Sequence, residues 1–259
     1  MKIYHVDAFT DKMFKGNPAV VCILPGPGYE RWMQDMAMEM NVSETAFLYK
    51  SGDGFNLRWF TPWVEVDLCG HATLASAHAL WESGSIKPGE EAVFYTKSGR
   101  LTAKKEGEYI ILNFPVEEER PAETPKMLAK SLNVPILYTG RNRMDYLVEV
   151  SDENTVKNLD PDFAVMSKVD TRGVIVTSRA TNPAYDFVSR FFGPLIGDPE
   201  DPVTGSAHCC LGPYWMKRLG KSEMKAYQAS KRGGYLSVKV CGDRVQIGGQ
   251  AVTVFSTEM

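Results

Sequence analysis

The chain has 259 residues, of which 44% are hydrophobic, 24% charged and 11% aromatic, a composition typical of a globular protein and not of a disordered or fibrous one. Its 29 Lys and Arg against 32 Asp and Glu give a net charge of −3, so we expect no nucleic-acid partner. The sequence has no apolar run of about 18 residues, so we expect no membrane span. Five cysteines, an odd number without metal-binding spacing, predict a cytoplasmic protein with neither a disulfide framework nor a metal site.

The first half of the chain is predicted to be rich in strands. Segments dense in β-branched and aromatic residues, bounded by Gly, Pro or Asp, cover residues 2–9, 19–24, 44–50, 56–60, 92–96 and 109–114. Residues 29–40 predict an amphipathic helix, because Trp32, Met36 and Met40 recur on one face. Residues 72–80 are small or apolar on nearly every side, which predicts a helix enclosed by protein.

A repeat relates the second half of the chain to the first. Gly70 and Gly205 each open a run of small residues that reads as a helix, and Gly99 and Gly234 are separated by the same offset. The two copies therefore predict two similar domains, each a set of strands around one central helix.

A linker is predicted between the two copies. Residues 116–125 are acidic and contain two prolines, which do not fit inside regular structure. The expected domains are residues 1–115 together with a C-terminal strand at 249–259, and residues 116–248.

The starts of the two central helices are the first candidate site. They read Gly70-His71 and Gly205-Ser206, and the unpaired N–H groups and partial positive charge of a helix start favour an anion. These residues are therefore expected to bind a carboxylate of the substrate, the alternative being two capped turns without a ligand. The same positive end predicts that His71 is a neutral imidazole.

Ordered sequence blocks across the whole chain resemble one known family. The blocks are residues 16–20, 41–47, 60–62, 65–73, 189–192, 200–208 and 228–234, and together they resemble the PhzF-like, phenazine-biosynthesis-type isomerases. The resemblance implies the diaminopimelate-epimerase fold. That fold is α+β, with two pseudo-symmetric, strand-rich, barrel-like domains around central helices.

The resemblance also implies a chemistry. Glu44 is expected to be the general acid/base that moves a proton between carbons of a small anionic metabolite, with His71, Asp201 and Ser206 lining the same interdomain cleft. Proton abstraction of this kind needs a partly buried base and fixed hydrogen-bond donors where negative charge develops. No cofactor is expected, and family members commonly pair, so a homodimer is predicted.

Two other functions stay open at this stage. A two-base amino-acid epimerase uses one thiol from each domain, but Cys69 has Thr204 at the equivalent place of the second copy, which argues against such a pair. A non-catalytic small-molecule-binding protein would have no need of Glu44. A zinc site made of Cys69, His71, His208 and Cys209 lacks the usual ligand spacings, and no nucleotide-binding glycine motif occurs.

Overall fold

The computed structural model describes residues 1–194 and 199–259. The helices in this part of the chain are α1 (Glu30–Met40), α2 (Gly70–Glu82), α3 (Lys126–Leu132), α4 (Glu153–Lys157), α5 (Phe163–Met166) and α6 (Gly205–Leu219). The strands are β1 (Lys2–Ala8), β2 (Asn17–Ile23), β3 (Glu44–Ser51), β4 (Gly54–Phe60), β5 (Glu65–Val66), β6 (Ala92–Thr96), β7 (Gly99–Glu106), β8 (Tyr109–Pro115), β9 (Arg120–Pro121), β10 (Ile136–Arg141), β11 (Asp145–Val150), β12 (Gly173–Arg179), β13 (Phe187–Phe192), β14 (Glu200–Asp201), β15 (Glu223–Gln228), β16 (Gly234–Cys241), β17 (Arg244–Gly249) and β18 (Ala251–Glu258).

The chain divides into two compact units. Unit 1 comprises Met1–Asn113 and Gln246–Met259, and unit 2 comprises Phe114–Val245. Strands dominate both units, so the mixed α+β, two-domain class predicted from the sequence is confirmed. No helix in the described part of the chain is both long enough and apolar enough to traverse a bilayer.

The strands of the two units pair in the same order. In unit 1, β1–β2, β3–β4 and β6–β7 are antiparallel, while β2–β3 and β4–β6 are parallel. In unit 2, β10–β11, β12–β13 and β15–β16 are antiparallel, while β11–β12 and β13–β15 are parallel. In both units, antiparallel and parallel pairings alternate in the same order along the chain. The repeat found in the sequence is therefore also a repeat of strand topology.

The central helix of unit 1 is α2, which packs against β1, β2, β3 and β18. Its residues from His71 to Ala77 are all buried, as are Ala79 and Leu80, so the prediction of an enclosed helix is confirmed. In unit 2 the corresponding helix, α6, packs against β15 and β16 and continues through Pro213. Small residues on several sides allow strands to approach each helix closely.

Helix α1 lies on the surface of unit 1, as its amphipathic pattern predicts. The centre of its buried face is Met33 and Ala37, with Met36 and Met40 only partly buried beside them. Trp32, predicted to belong to this face, is 37% exposed. The buried face of α1 is therefore rotated by about one residue from the predicted face, because the prediction used only the i, i+4 spacing of Trp32, Met36 and Met40.

An ion pair is repeated in the two units. Arg58 on β4 binds both carboxylate oxygens of Glu65 at 2.6 and 2.7 Å, and its guanidinium lies over the Phe60 ring. In unit 2, Arg190 binds both oxygens of Glu200 at 2.6 and 2.9 Å. Because both pairs are bidentate and lie on corresponding strands, Arg58 corresponds to Arg190 and Glu65 corresponds to Glu200.

The strand position of Glu44 is occupied by a glycine in unit 2. Thr45 of β3 pairs with Phe60, and Val174 of β12 pairs with Phe192, so the residues before them, Glu44 and Gly173, are equivalent. A side-chain carbon added at Gly173 would overlap the ring of Phe191. The two units therefore share a fold but differ at the position of the candidate base.

Candidate functional site

The candidate site of unit 1 is a carboxylate beside an imidazole. Glu44 is the first residue of β3, and His71 is the second residue of α2. Glu44 Oε2 lies 3.2 Å from His71 Nε2, and the Glu44 side chain is 18% exposed while that of His71 is only 6% exposed. The distance is that of an ion pair, although the angles depart from those of a regular hydrogen bond. A partly accessible carboxylate thus lies against a buried imidazole.

Two further side chains contact the opposite nitrogen of the imidazole. Asn17 Nδ2 lies 3.1 Å from His71 Nδ1, and Cys69 Sγ lies 3.5 Å from the same atom. Asn17 is fully buried at the start of β2. Sequence reasoning did not single it out as a site residue, although it lies in the block at residues 16–20 that carries part of the family resemblance.

The surroundings of His71 favour its charged form. Burial by itself lowers the pKa of His71, but the neighbouring Cys69 and Glu44 outweigh this effect and hold the pKa well above its ordinary value. Burial raises the pKa of the Cys69 thiol, so Cys69 is neutral near pH 7 and Glu44 is the charge that acts there. The expectation of a neutral imidazole considered only the helix start and omitted the Glu44 carboxylate, which raises the pKa of His71.

Three potential metal ligands meet in this cluster. One ligand atom from each of Glu44, Cys69 and His71 lies within 4.8 Å of the others. Cys69 approaches Nδ1 of the ring, however, whereas Glu44 approaches Nε2, so no single ring nitrogen faces both. The arrangement suits proton transfer along Nε2 better than coordination of one ion.

The candidate residues of unit 2 gather at the start of α6. Thr204, the residue before the helix, donates its hydroxyl to Asp201 Oδ2 at 2.5 Å. Gln228 Oε1 accepts the backbone N–H of Thr204 at 2.8 Å, and Gln228 Nε2 donates to the carbonyl of Asp201, also at 2.8 Å. Gly205 and Ser206 then form the first turn. Asp201 is thereby tied to the helix start.

An ion pair between a partly buried arginine and a buried aspartate lies beside Ser206. Arg172 Nη2 donates to Ser206 Oγ at 3.1 Å, and both Nε and Nη2 of Arg172 bind the carboxylate of Asp145. Asp145 is 1% exposed, and its burial raises its pKa although Arg172 opposes the shift. No motif marked Arg172 or Asp145 in the sequence, because the pair joins the start of β11 to the residue before β12.

His208 lies inside α6, away from the helix start. Its Nδ1 donates to the carbonyl of Thr204 at 2.8 Å, and the side chain is fully buried. Burial lowers the pKa of His208 to about 4. The predicted site residues thus form one cluster in each unit: Glu44, Gly70 and His71 in unit 1, and Asp201, Gly205 and Ser206 in unit 2.

Comparison with known proteins places the chain in a family. A profile of the family described as phenazine biosynthesis-like protein matches residues 6–257. The chain belongs to the phenazine biosynthesis-like family. It is 57% identical over 258 residues to an uncharacterized isomerase of Halalkalibacterium halodurans, a match that covers 99% of this chain and 97% of that protein.

Solved structures of the phenazine biosynthesis-like family share the fold. A PhzF family protein of Enterococcus faecalis superposes with a TM-score of 0.95 and 42% identity, covering 100% of this chain and 98% of that one. A probable proline racemase of Agrobacterium radiobacter superposes with a TM-score of 0.64 and 13% identity, covering 100% and 92%. At that identity the second match shows the fold alone, which is the epimerase-type fold predicted from the sequence.

Proposed function

We propose that this protein is a cofactor-independent isomerase that moves a proton between two carbons of a small carboxylate-bearing metabolite. Glu44 is the general acid/base. The observation that carries the proposal is the contact between Glu44 Oε2 and His71 Nε2 at 3.2 Å, at the start of a buried helix. Membership of a family whose 57% identical relative is named an isomerase supports the reaction class.

The proposed step conserves atoms and electrons. The Glu44 carboxylate takes a proton from an acidic C–H bond, and the electron pair of that bond moves into the adjacent unsaturated system. The Glu44 carboxyl then returns the proton to another carbon of the same system. His71 keeps a donor on the Glu44 carboxylate throughout, so the base stays oriented while its charge changes.

The helix starts are proposed to bind the negative charge of the substrate. Gly70 and His71 open α2, and Gly205 and Ser206 open α6, so each start offers unpaired backbone N–H groups. Arg172 donates a hydrogen bond to Ser206 Oγ, which orients this side chain at the start of α6. Asp201 is proposed to take part in the reaction from the same turn. That both units act on one substrate stays a prediction from the sequence.

The test is isotope exchange with a base-deficient variant. Small carboxylates with an acidic C–H beside a double bond or carbonyl are incubated with the protein in deuterated water, and deuterium uptake or isomer formation is followed by NMR. Glu44→Gln keeps the shape of the side chain and removes proton transfer, so turnover should fall about 10²–10⁴-fold while binding persists. Glu108→Gln, at an exposed position of unit 1, is the matched control and should behave as wild type.

Two results would contradict the proposal. If Glu44→Gln exchanges protons as fast as wild type, Glu44 is not the base. If a carboxylate binds but the wild type neither exchanges nor isomerises it or any other member of the panel, a binding protein fits better. The predicted homodimer is tested separately by sedimentation at several concentrations, where a strict monomer would refute it.

A further inference from the structure

Asn17 holds the side of the His71 ring that faces away from Glu44. Its Nδ2 lies 3.1 Å from Nδ1, and both side chains are buried. An amide nitrogen donates and does not accept, so in this arrangement Nδ1 is the acceptor. The proton of the neutral ring must then be on Nε2, next to the Glu44 carboxylate.

We propose that Asn17 is a positioning residue that occupies Nδ1 of His71 in both charge states of the ring, so that the proton facing Glu44 is always on Nε2. This inference rests on the proposed function of Glu44. With a neutral ring, Nδ2 of Asn17 donates to Nδ1. With a charged ring, Nδ1 carries a proton, and the amide turned end for end presents Oδ1 to accept it.

Asparagine suits this position because one amide offers both a donor and an acceptor from nearly the same place. Aspartate could only accept, and an aliphatic residue could do neither. Without a fixed partner at Nδ1, the neutral ring could place its proton there and turn a bare Nε2 lone pair toward the carboxylate. Glu44 would then lose its donor during proton transfer.

The backbone around Asn17 is built to hold this side chain. Asn17 pairs with Ala8 of β1, and the preceding Gly16 has a φ of +64°. A side-chain carbon at Gly16 would overlap the carbonyl oxygen of Ala8, so only glycine fits this turn. A residue held by a strand and a tight turn keeps a precise side-chain geometry.

The other groups that act on the ring do not replace Asn17. Cys69 Sγ is 3.5 Å from Nδ1, and a thiol is a weak donor and a weak acceptor. Glu44 acts on the opposite nitrogen. Cys69 and Glu44 are the titratable groups that act on the pKa of His71. Both stay in place in the Asn17 variants, so a change in the titration of His71 can be assigned to residue 17.

The test is NMR of the histidine side chains in the free, ¹⁵N-labelled protein, with the His71 signal assigned from its loss in His71→Asn. When the ring is neutral, the wild type should show a proton on Nε2 and none on Nδ1. Asn17→Asp should raise the titration midpoint of His71 by at least about one pH unit, because it adds an opposite charge beside Nδ1. Asn17→Ser, whose hydroxyl is too short to reach the ring, should let the neutral ring carry its proton on Nδ1, which the ¹⁵N shifts of the two ring nitrogens report.

Controls separate this effect from general disturbance. Asn154→Asp adds the same charge at an exposed position of unit 2 and should leave the titration midpoint of His71 unchanged. The titration midpoint of His78 should be the same in all of these variants. A proton on Nδ1 of the neutral wild-type ring would overturn the proposal. So would a neutral ring that keeps its proton on Nε2 alone in Asn17→Ser, or a midpoint that stays unchanged in Asn17→Asp. Because no substrate is used, the result does not depend on whether Glu44→Gln loses turnover.

Discussion

Cys69 and Thr204 occupy the same place in the two units, since each is the residue immediately before a central helix. The thiol is buried against His71, whereas the hydroxyl is bonded to Asp201. A two-base epimerase needs one thiol on each side of the reacting carbon, but this protein has a threonine, not a second cysteine, at the equivalent position. The contrast leads directly to a test of the alternative function.

Cys69→Ser should retain most of the isotope exchange and isomerisation, because the thiol is neutral near pH 7 and is not the proposed base. The stability cost of this small change is expected to be about 1 kcal/mol. Turnover and deuterium uptake are measured beside Glu44→Gln under the same conditions. Loss of activity in Cys69→Ser with retention in Glu44→Gln would favour the epimerase reading.

Thiol labelling should distinguish one cysteine from the other four. Cys241 is exposed, while Cys22, Cys69, Cys209 and Cys210 are buried, and burial raises the pKa of Cys22, Cys209 and Cys210 to about 12. A thiol reagent at pH 7 should therefore modify one group in the folded protein and five after unfolding. Cys241→Ser should abolish the fast reaction; fast labelling that survives this change would contradict the burial of the other thiols.

Glu153 should make stability depend on acid pH. Its buried carboxylate accepts bonds from Thr181 N at 2.7 Å, Thr181 Oγ1 at 2.8 Å and Asn182 N at 3.1 Å, and it pairs with Lys157. Although burial opposes ionisation, hydrogen bonds from Lys157, Tyr185 and Thr181 hold the pKa of Glu153 well below its ordinary value. Its contribution is therefore present above the unfolded pKa of about 4.3 and is lost as pH falls toward the folded value.

Glu153→Gln should reduce the free energy of unfolding at pH 7 by roughly 1.5–3 kcal/mol, and by less as the pH falls below about 4. Urea denaturation at a series of pH values measures both effects. The matched control is Glu223→Gln, whose own side chain is 68% exposed in its ion pair with Lys239, so that change should stay within about 0.5 kcal/mol. Equal losses at pH 7 and at low pH would show that the charge of Glu153 is not the cause.

Arg172→Met should destabilise unit 2 through Asp145. Removing the guanidinium leaves a buried carboxylate unpaired, at a cost of about 3–5 kcal/mol near pH 7. Because burial already raises the pKa of Asp145, the folded protein is penalised as pH rises above the unfolded pKa of about 3.9, and the penalty shrinks in acid. The double change Arg172→Met with Asp145→Asn should recover much of the stability in thermal or urea unfolding; a double variant as unstable as the single one would contradict this cause.

The sequence could predict the parts of the fold that depend on local pattern and on the repeat. The start of α2 at Gly70 and of α6 at Gly205, and the enclosure of α2, follow from runs of small residues. The contact of Asn17 with His71 could not be predicted, because it joins residues 54 positions apart through the register of β1, β2 and β3. The same holds for Arg172 and Asp145, whose pairing depends on the parallel alignment of two strands. The surroundings of His71 could not be predicted for the same reason, since the Glu44 carboxylate that raises its pKa comes from β3, not from its own helix.

The ring of Phe191 packs against Gly173, so unit 2 cannot easily accept an acid at the position that Glu44 occupies in unit 1. A single substitution that places an acid at residue 173 would collide with the ring of Phe191, so it must be accompanied by a smaller residue at 191. That second change would remove the surface over which the Arg172 guanidinium lies, 5.5 Å from the ring centre. Converting this scaffold into one with an acid in each half is therefore a problem of several coordinated substitutions, and libraries built one residue at a time will not find it.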